Sequence, residues 1–187
     1  VIAEIDAPAL GLLGIERLSL NLLSHLCGIA TLTQRWVDAV DGTSARIRDT
    51  RKTTPGLRDL EKYAVRCGGG VNHRRGLDDG VLIKDNHVTA AGGVGPALDR
   101  VHAARSLVER PVQVEVDDLA QLAEALDHGA TDVLLDNFTV AELAAAVRVA
   151  RSWCRPVRLE ASGGLRLDTA ATVAATGVDF LAVGALT

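Results

Sequence analysis

Beyond residue 43, short apolar runs alternate with amphipathic stretches, and each run stops at a charged or small polar residue. Ile47 leads into Asp49-Thr50-Arg51-Lys52, Val81-Leu82-Ile83 into Lys84-Asp85-Asn86-His87, and Val133-Leu134-Leu135 into Asp136-Asn137. Val112 to Val116 carries Glu115 and ends at Asp117. Val157 to Leu159 leads into Glu160-Ala161-Ser162-Gly163-Gly164, and Phe180 to Val183 leads into Gly184. The pattern predicts strands at about 44–49, 81–85, 111–117, 131–136, 156–161 and 179–184. It predicts helices at about 58–66, 95–108, 118–128, 139–151 and 168–176, with Asp117 or Asp118, Thr139 and Asp168 as caps. Upstream, residues 9 to 40 read as helix with a broad apolar face that includes Leu12, Leu13, Ile15, Leu22 and Leu26, and Gly28 is expected to split it in two. Residues 1 to 8 read as the tail of a strand entering a turn.

Alternating strand and helix with short apolar strands implies an α/β fold around a parallel sheet. Right-handed crossovers allow an open doubly wound sheet or a barrel. The barrel is favoured, because chemistry-bearing residues close nearly every strand instead of clustering at one switch point, and barrel enzymes keep their sites on that rim. No Pro-rich linker or low-complexity segment divides the chain.

Composition narrows the function classes. A net charge of −4 over 187 residues argues against a general nucleic-acid binder, and 3% aromatic content weakens any reading based on base stacking. Three scattered cysteines (Cys27, Cys67 and Cys154) support neither a disulfide framework nor a thiolate metal site, and fit a reducing cytoplasm. No signal peptide or apolar run of membrane-spanning length is visible. Residues 46 to 84 nevertheless hold ten of the twenty Lys and Arg residues and all three lysines, Lys52, Lys62 and Lys84. In a chain that otherwise prefers Arg, a retained lysine hints that an amine is needed.

Three sets of residues carry candidate chemistry. Arg51, Lys52, His73, Arg74 and Lys84 form a cationic set. If they converge, like charges about 8 Å apart cost roughly 2 kcal/mol per pair at an effective dielectric near 20, and a bound polyanion offsets that cost. The alternative is a solvated surface, or ion pairs with Asp49, Asp78, Asp79 and Asp85. Glu115 and Asp136 end neighbouring strands and could hold Mg²⁺ directly or through water, act as a general acid/base pair, or simply pair with nearby cations. Ser162-Gly163-Gly164 and the later Gly184 could let backbone N–H groups approach a phosphate, although turn glycines are an equally good account. Gly68-Gly69-Gly70 lacks the following Gly-Lys-Ser/Thr of a P-loop and is read as letting the backbone pass near the basic residues. Gly92-Gly93-x-Gly95 is read as a loop. His25, His102 and His128 read as structural. His87 either touches a ligand or orients a neighbour.

These words also carry a resemblance. Thr50 to Arg58, Glu61 to Val65, Gly68-Gly69-Gly70 with His73-Arg74, and Leu82-Ile83-Lys84-Asp85-Asn86-His87 closely resemble the quinolinate phosphoribosyltransferase family. Glu115-Val116-Asp117, Leu135-Asp136-Asn137, Ser162-Gly163-Gly164 and Val183 to Thr187 continue it in order, and Glu16-Arg17, Leu20-Asn21 and Gly28 to Thr31 fit upstream. The resemblance implies an incomplete parallel α/β barrel over 44–187. Residues 1–43 would be the remnant of an N-terminal α/β sandwich domain with its connecting helices. Most of that domain would lie before Val1, and a further segment after Thr187. It implies Mg²⁺-dependent transfer of phosphoribose from phosphoribosyl pyrophosphate to quinolinate, with loss of CO₂, to give nicotinate mononucleotide in NAD biosynthesis. A homodimer or higher homo-oligomer is implied, in which the partner's N-terminal domain lends a basic residue to the site.

The site roles follow from the same resemblance. Thr50, Arg51, Lys52, His73, Arg74 and Lys84 would hold quinolinate and neighbouring phosphates. Lys52, Lys84, Glu115 and Asp136 would be catalytic, with Glu115 and Asp136 also serving the metal and the ribose. Ser162, Gly163, Gly164, Val183, Gly184 and Ala185 would cradle the 5-phosphate. A phosphoribosyltransferase for another aromatic acid, and a non-catalytic ligand-binding relative, remain as alternatives.

Overall fold

A computed structural model of the chain describes residues 1–105 and 110–187. Six strands form one sheet: β1 (Arg46–Arg48), β2 (Val81–Ile83), β3 (Val112–Val116), β4 (Asp132–Asp136), β5 (Arg158–Ser162) and β6 (Phe180–Ala182). Every pairing is parallel, and the spatial order is β1-β6-β5-β4-β3-β2. From β2 to β6 the order simply follows the chain, without the reversal of a doubly wound sheet, as in a barrel that stops short of closing. The missing closure lies between β1 and β2. There a single parallel bridge, Arg48 with Val71, extends the β1 edge.

The pleat sorts the side chains into two layers. Ile47, Ile83, Val114, Val116, Val133, Leu135, Leu159 and Leu181 are buried in the hydrophobic core. The opposite face turns inward and is largely polar: Gln113, Glu115, Asp136, Glu160 and Ser162 alternate with the core positions. Strands β3 and β5 therefore read as apolar runs interrupted at every second residue.

The helices are α1 (Ala9–Ala39), α2 (Arg58–Cys67), α3 (Asp85–Ala91), α4 (Val94–Arg105), α5 (Leu119–Asp127), α6 (Val140–Arg151) and α7 (Ala170–Ala174). Asp118 caps α5 through its side chain, and Thr139 forms a capping box with Glu142. Asp168 instead falls inside a short 3₁₀ turn, Leu167–Thr169, that precedes α7.

Four expectations change. Gly28 does not split α1. It has open space around it, and the roughly 1 kcal/mol cost of a helical glycine is outweighed once Ile29, Thr33 and Trp36 bury against the barrel. Residues 1 to 8 are exposed and form no strand, since no neighbouring strand is there to take their backbone groups. The strand expected at 81–85 stops at Ile83. Lys84 opens α3, whose end is Gly92 in a left-handed conformation, so the segment read as a loop joins two helices and Gly95 lies inside α4. Of the helix expected at 95–108, residues 106–108 lie outside the described residues.

The glycine triplet also has a different task. A Cβ at Gly68 would collide with the Ala30 carbonyl oxygen, and one at Gly70 with Thr33 and Val65. The triplet lets the end of α2 press against α1. No helix among the described residues is long and apolar enough to cross a membrane, and the three cysteines are free and exposed.

Candidate active site

The ends of all six strands open onto one cleft. Its inner part, about 220 Å³, is lined by Thr50, Arg51, Lys52, His73, Arg74, Leu82, Lys84, Glu115, Leu134, Asp136, Glu160, Ser162 and Ala182. Its outer part adds Asn137, Gly163, Gly164, Leu165, Val183, Gly184 and Ala185. Each site residue expected from sequence lies on one of these two walls. Thr50, Lys52, Asp136, Ser162 and Ala182 line both and join them.

The segment after β1 is shaped by buried charge. Asp49, with no exposed surface, accepts from Lys62 Nζ at 2.7 Å, from Asn72 Nδ2 at 2.6 Å and from the His73 backbone N–H at 2.7 Å. Lys62 also donates to the His73 carbonyl at 3.0 Å. Glu61, equally buried, accepts from the Thr54 N–H at 3.0 Å. Arg58 reaches Thr53 Oγ1 and the carbonyls of Arg51 and Arg75. Helix α2 thus staples the Thr50–Thr54 loop and the His73–Arg75 segment around the cleft. Lys62, the lysine left unexplained by the sequence, belongs to this scaffold and not to the cleft.

Within the cleft, Arg51 and Arg74 are close enough for each to matter to the other. Burial first, and then the Arg51 charge, lower the Arg74 pKa from its ordinary value. The Arg74 guanidinium donates to the Gly80 carbonyl at 3.0 Å. The Nε–H groups of both Arg51 and Arg74 are buried without a hydrogen-bond partner among the described residues. Two cations that feel one another in a shared cleft favour an anionic ligand there. Lys84 donates to Glu115 Oε2 at 3.0 Å. His87 turns back through Nδ1 to accept the Lys84 N–H, so it orients that neighbour.

Glu115 and Asp136 rise from adjacent strands β3 and β4, half-buried on the same wall. Asp136 accepts from Asn137 Nδ2 at 2.6 Å. Two carboxylates beside a phosphate-sized cleft suit Mg²⁺, which takes one or two carboxylates and completes its shell with phosphate oxygens and waters. No group of three or more His, Cys, Asp or Glu side chains among the described residues makes an all-protein cage.

At the outer wall, Asn137 N–H donates to the Ser162 carbonyl at 2.9 Å, and Asn137 adopts a left-handed φ of 56°. Gly163, at φ 87°, lies so close to Asn137 that a Cβ would overlap its side-chain amide. The tip of Lys52 lies beside Gly184, and Thr187 Oγ1 donates to the Lys52 carbonyl at 2.8 Å.

Sequence reasoning missed Asn137 and Glu160 as parts of the site, and Gln113 hydrogen-bonded behind Glu160. The signal for Gln113 and Glu160 was the alternation of polar with apolar residues inside the strands, which marks the inward face; Asn137 follows β4 and had no such signal.

This architecture can now be set against known proteins. The sequence profile of the family described as quinolinate phosphoribosyl transferase, C-terminal domain, matches residues 29–187. The chain belongs to this family. Among quinolinate phosphoribosyltransferase relatives, it is 58% identical over 183 residues to the nicotinate-nucleotide pyrophosphorylase (carboxylating) of Mycobacterium leprae, covering 98% of this chain and 64% of the relative. It is 40% identical to the human enzyme of that name, covering 100% of this chain and 63% of the relative. The crystal structure of nicotinate-nucleotide pyrophosphorylase from Ehrlichia chaffeensis superposes with a TM-score of 0.85 at 41% identity, over 92% of this chain and 61% of that one. NadC from Streptococcus pyogenes gives 0.88 at 39% identity, over 97% and 62%. The chain thus spans somewhat under two thirds of the length of these relatives.

Proposed function

We propose that the protein containing this chain transfers phosphoribose from phosphoribosyl pyrophosphate to quinolinate and releases CO₂, giving nicotinate mononucleotide and pyrophosphate for NAD synthesis. One observation carries the choice of substrate: the Arg51 and Arg74 side chains share a cleft in which burial, and then the Arg51 charge, lower the Arg74 pKa. Quinolinate is a dianion, and its two adjacent carboxylates supply acceptors for such a pair. The names of the relatives support the same reaction.

In this reading Arg51, Arg74 and Lys84 take the carboxylates, with Thr50 and His73 completing the pocket. Lys52, between the two parts of the cleft, faces the phosphates. Ser162, Gly163, Gly164, Val183, Gly184 and Ala185 surround the 5-phosphate. Glu115 and Asp136 would hold Mg²⁺, directly or through water, and the bound ion would neutralise charge developing on the departing pyrophosphate. The quinolinate nitrogen forms a bond to ribose C1 as the C1–oxygen bond to pyrophosphate breaks. The ring nitrogen is then cationic. The electron pair left when the neighbouring carboxylate departs as CO₂ stays on that ring carbon, stabilised by the adjacent nitrogen cation, until a proton fills the position. The chain's own work is to orient two anions and to offset their charge.

We also assign residues 44–187 to the catalytic barrel and residues 1–43 to the remnant and connecting helices of an N-terminal domain. In α1 the buried positions begin at Ile29, whereas Leu10, Leu13, Ile15, Leu18, Leu20 and Leu23 are exposed. A homodimer in the cytoplasm is the assembly and compartment we favour.

The test supplies full-length protein with quinolinate, phosphoribosyl pyrophosphate and Mg²⁺, with nicotinate as a parallel substrate. Stoichiometric pyrophosphate and CO₂ with quinolinate are expected. Release of neither product, or turnover of nicotinate in preference, refutes the proposal.

A further inference from the structure

From the cleft wall a polar chain runs through His73 to Gln113 and Glu160, and the reaction above gives no role to its last two members. Glu160 is buried to 1% exposure on β5. Its Oε2 accepts from Arg48 Nη1 at 2.6 Å and from Gln113 Nε2 at 2.9 Å. The other end of the Gln113 amide, Oε1, lies 2.8 Å from His73 Nε2. On the far side of the imidazole, Nδ1 lies 2.7 Å from the Arg74 backbone N–H.

Both ends of this chain have fixed polarity. A carboxylate paired with Arg48 only accepts, so the Gln113 NH₂ must face it and the Gln113 oxygen must face the ring. That oxygen needs a donor, so His73 carries its proton on Nε2. At the other end a backbone N–H only donates, so Nδ1 must offer its lone pair. The two ends specify the same tautomer independently. A proton on Nδ1 would confront the Arg74 N–H, so the arrangement also excludes the imidazolium.

We propose that Glu160 and Gln113 lock His73 as the neutral Nε2–H tautomer, so that Nδ1 fixes the backbone from which Arg74 reaches into the cleft. His73, Gln113 and Glu160 are then positioning residues acting through Arg74, and His73 adds no charge to the pocket. The charged groups facing His73 are Glu160 from β5, Arg48 from β1 and Lys62 from α2. Burial most strongly, and then Arg48 and Lys62, lower its pKa, while Glu160 and the Gln113 hydrogen bond raise it. The net direction is down.

The kinetic part of this inference rests on the proposed quinolinate reaction, and the tautomer part does not. Full-length protein labelled with ¹⁵N-histidine, with His73 assigned by difference from His73→Asn, should show one protonated Nε2 and one bare Nδ1. Its titration midpoint is expected below that of a free histidine. A proton on Nδ1, or a midpoint at or above that of a free histidine, overturns the lock.

Gln113→Met, which keeps length but removes both hydrogen bonds, should take away the acceptor of the His73 Nε2–H and shift its resonance. It should raise the KM for quinolinate by about tenfold, with kcat and the KM for the ribosyl donor within about twofold. Unchanged quinolinate KM, or equal losses in every parameter, overturns the positioning role. If wild-type protein turns over no quinolinate, the functional reading fails, and the resonances of His73 still decide the lock.

Discussion

Lys62 donates to Asp49 at 2.7 Å, and Lys84 donates to Glu115 at 3.0 Å. The chemistry is the same and both acids sit on or just beyond a strand, yet the surroundings differ. The Lys62 and Asp49 side chains are 5% and 0% exposed; those of Lys84 and Glu115 are 48% and 12% exposed. In the first pair every polar atom is answered from within the fold, by Asn72 and by the His73 backbone as well as by the partner. In the second, the ammonium stands in an open cleft with capacity to spare. A buried pair leaves an uncompensated charge when one member is removed, whereas an exposed pair is worth little by itself. The contrast teaches that charge in this barrel divides into a scaffold layer under helix α2 and a working layer at the rim.

The sharpest way to break the comparison is Asp49→Ala. It should cost about 3–5 kcal/mol of unfolding free energy, because Lys62 stays buried without its carboxylate. Denaturant unfolding of full-length protein measures this. A loss under about 1 kcal/mol would place the pair with ordinary surface bridges. Lys84→Ala and Arg74→Ala test the other layer. Each should weaken quinolinate binding by roughly 1.5–3 kcal/mol in calorimetry, the worth of a charged hydrogen bond. Lys84→Ala should leave stability within about 0.5 kcal/mol, as for most surface changes. A stability loss comparable to that of Asp49→Ala would erase the distinction. Gly163→Ala probes the rim at the proposed 5-phosphate site, where φ is 87° and Asn137 leaves no room for a Cβ. Strain of about 1–3 kcal/mol should appear as weaker ribosyl-donor binding, with quinolinate affinity unchanged.

How far these layers were legible in sequence depends on which signal marks them. The rim was readable, because Thr50 to Lys52, Lys84, Glu115, Asp136 and Ser162 to Gly164 each stand at or near the end of an apolar run, and parallel strands bring those ends together. The scaffold layer was not. Glu61 and Lys62 look like the solvent face of an amphipathic helix, and only the turn of α2 against Asp49 and the Thr54 loop puts them inside. Gln113 and Glu160 were hidden for the opposite reason, since a polar residue inside an apolar run reads as noise until the alternation is taken as an inward face. Helix α3 went unseen because Lys84 ends one element and begins the next, with no polar spacer between. The continuity of α1 through Gly28 is a tertiary effect, decided by what Ile29, Thr33 and Trp36 pack against.

The smallest effect expected is a pH dependence at Glu61, which refines the scaffold layer. Burial acts to raise its pKa, but hydrogen bonds from His25 and from Thr54 outweigh it, and the net shift is downward from the ordinary value of 4.5. A carboxylate whose folded pKa is depressed contributes stability that is fully present above its unfolded pKa and is lost as pH falls through the folded one. The contribution of Glu61 should therefore be intact at neutral pH and fade only below about pH 4.5. Glu61→Gln removes the titrating group while keeping an acceptor for the Thr54 N–H. It should cost about 1 kcal/mol near neutrality, the scale of one hydrogen bond, with the gap to wild type closing in acid. A gap that stays constant from neutral pH into acid would mean that Glu61 holds the Thr50–Thr54 loop by shape alone, and that among the acids of this scaffold only Asp49 works through its charge.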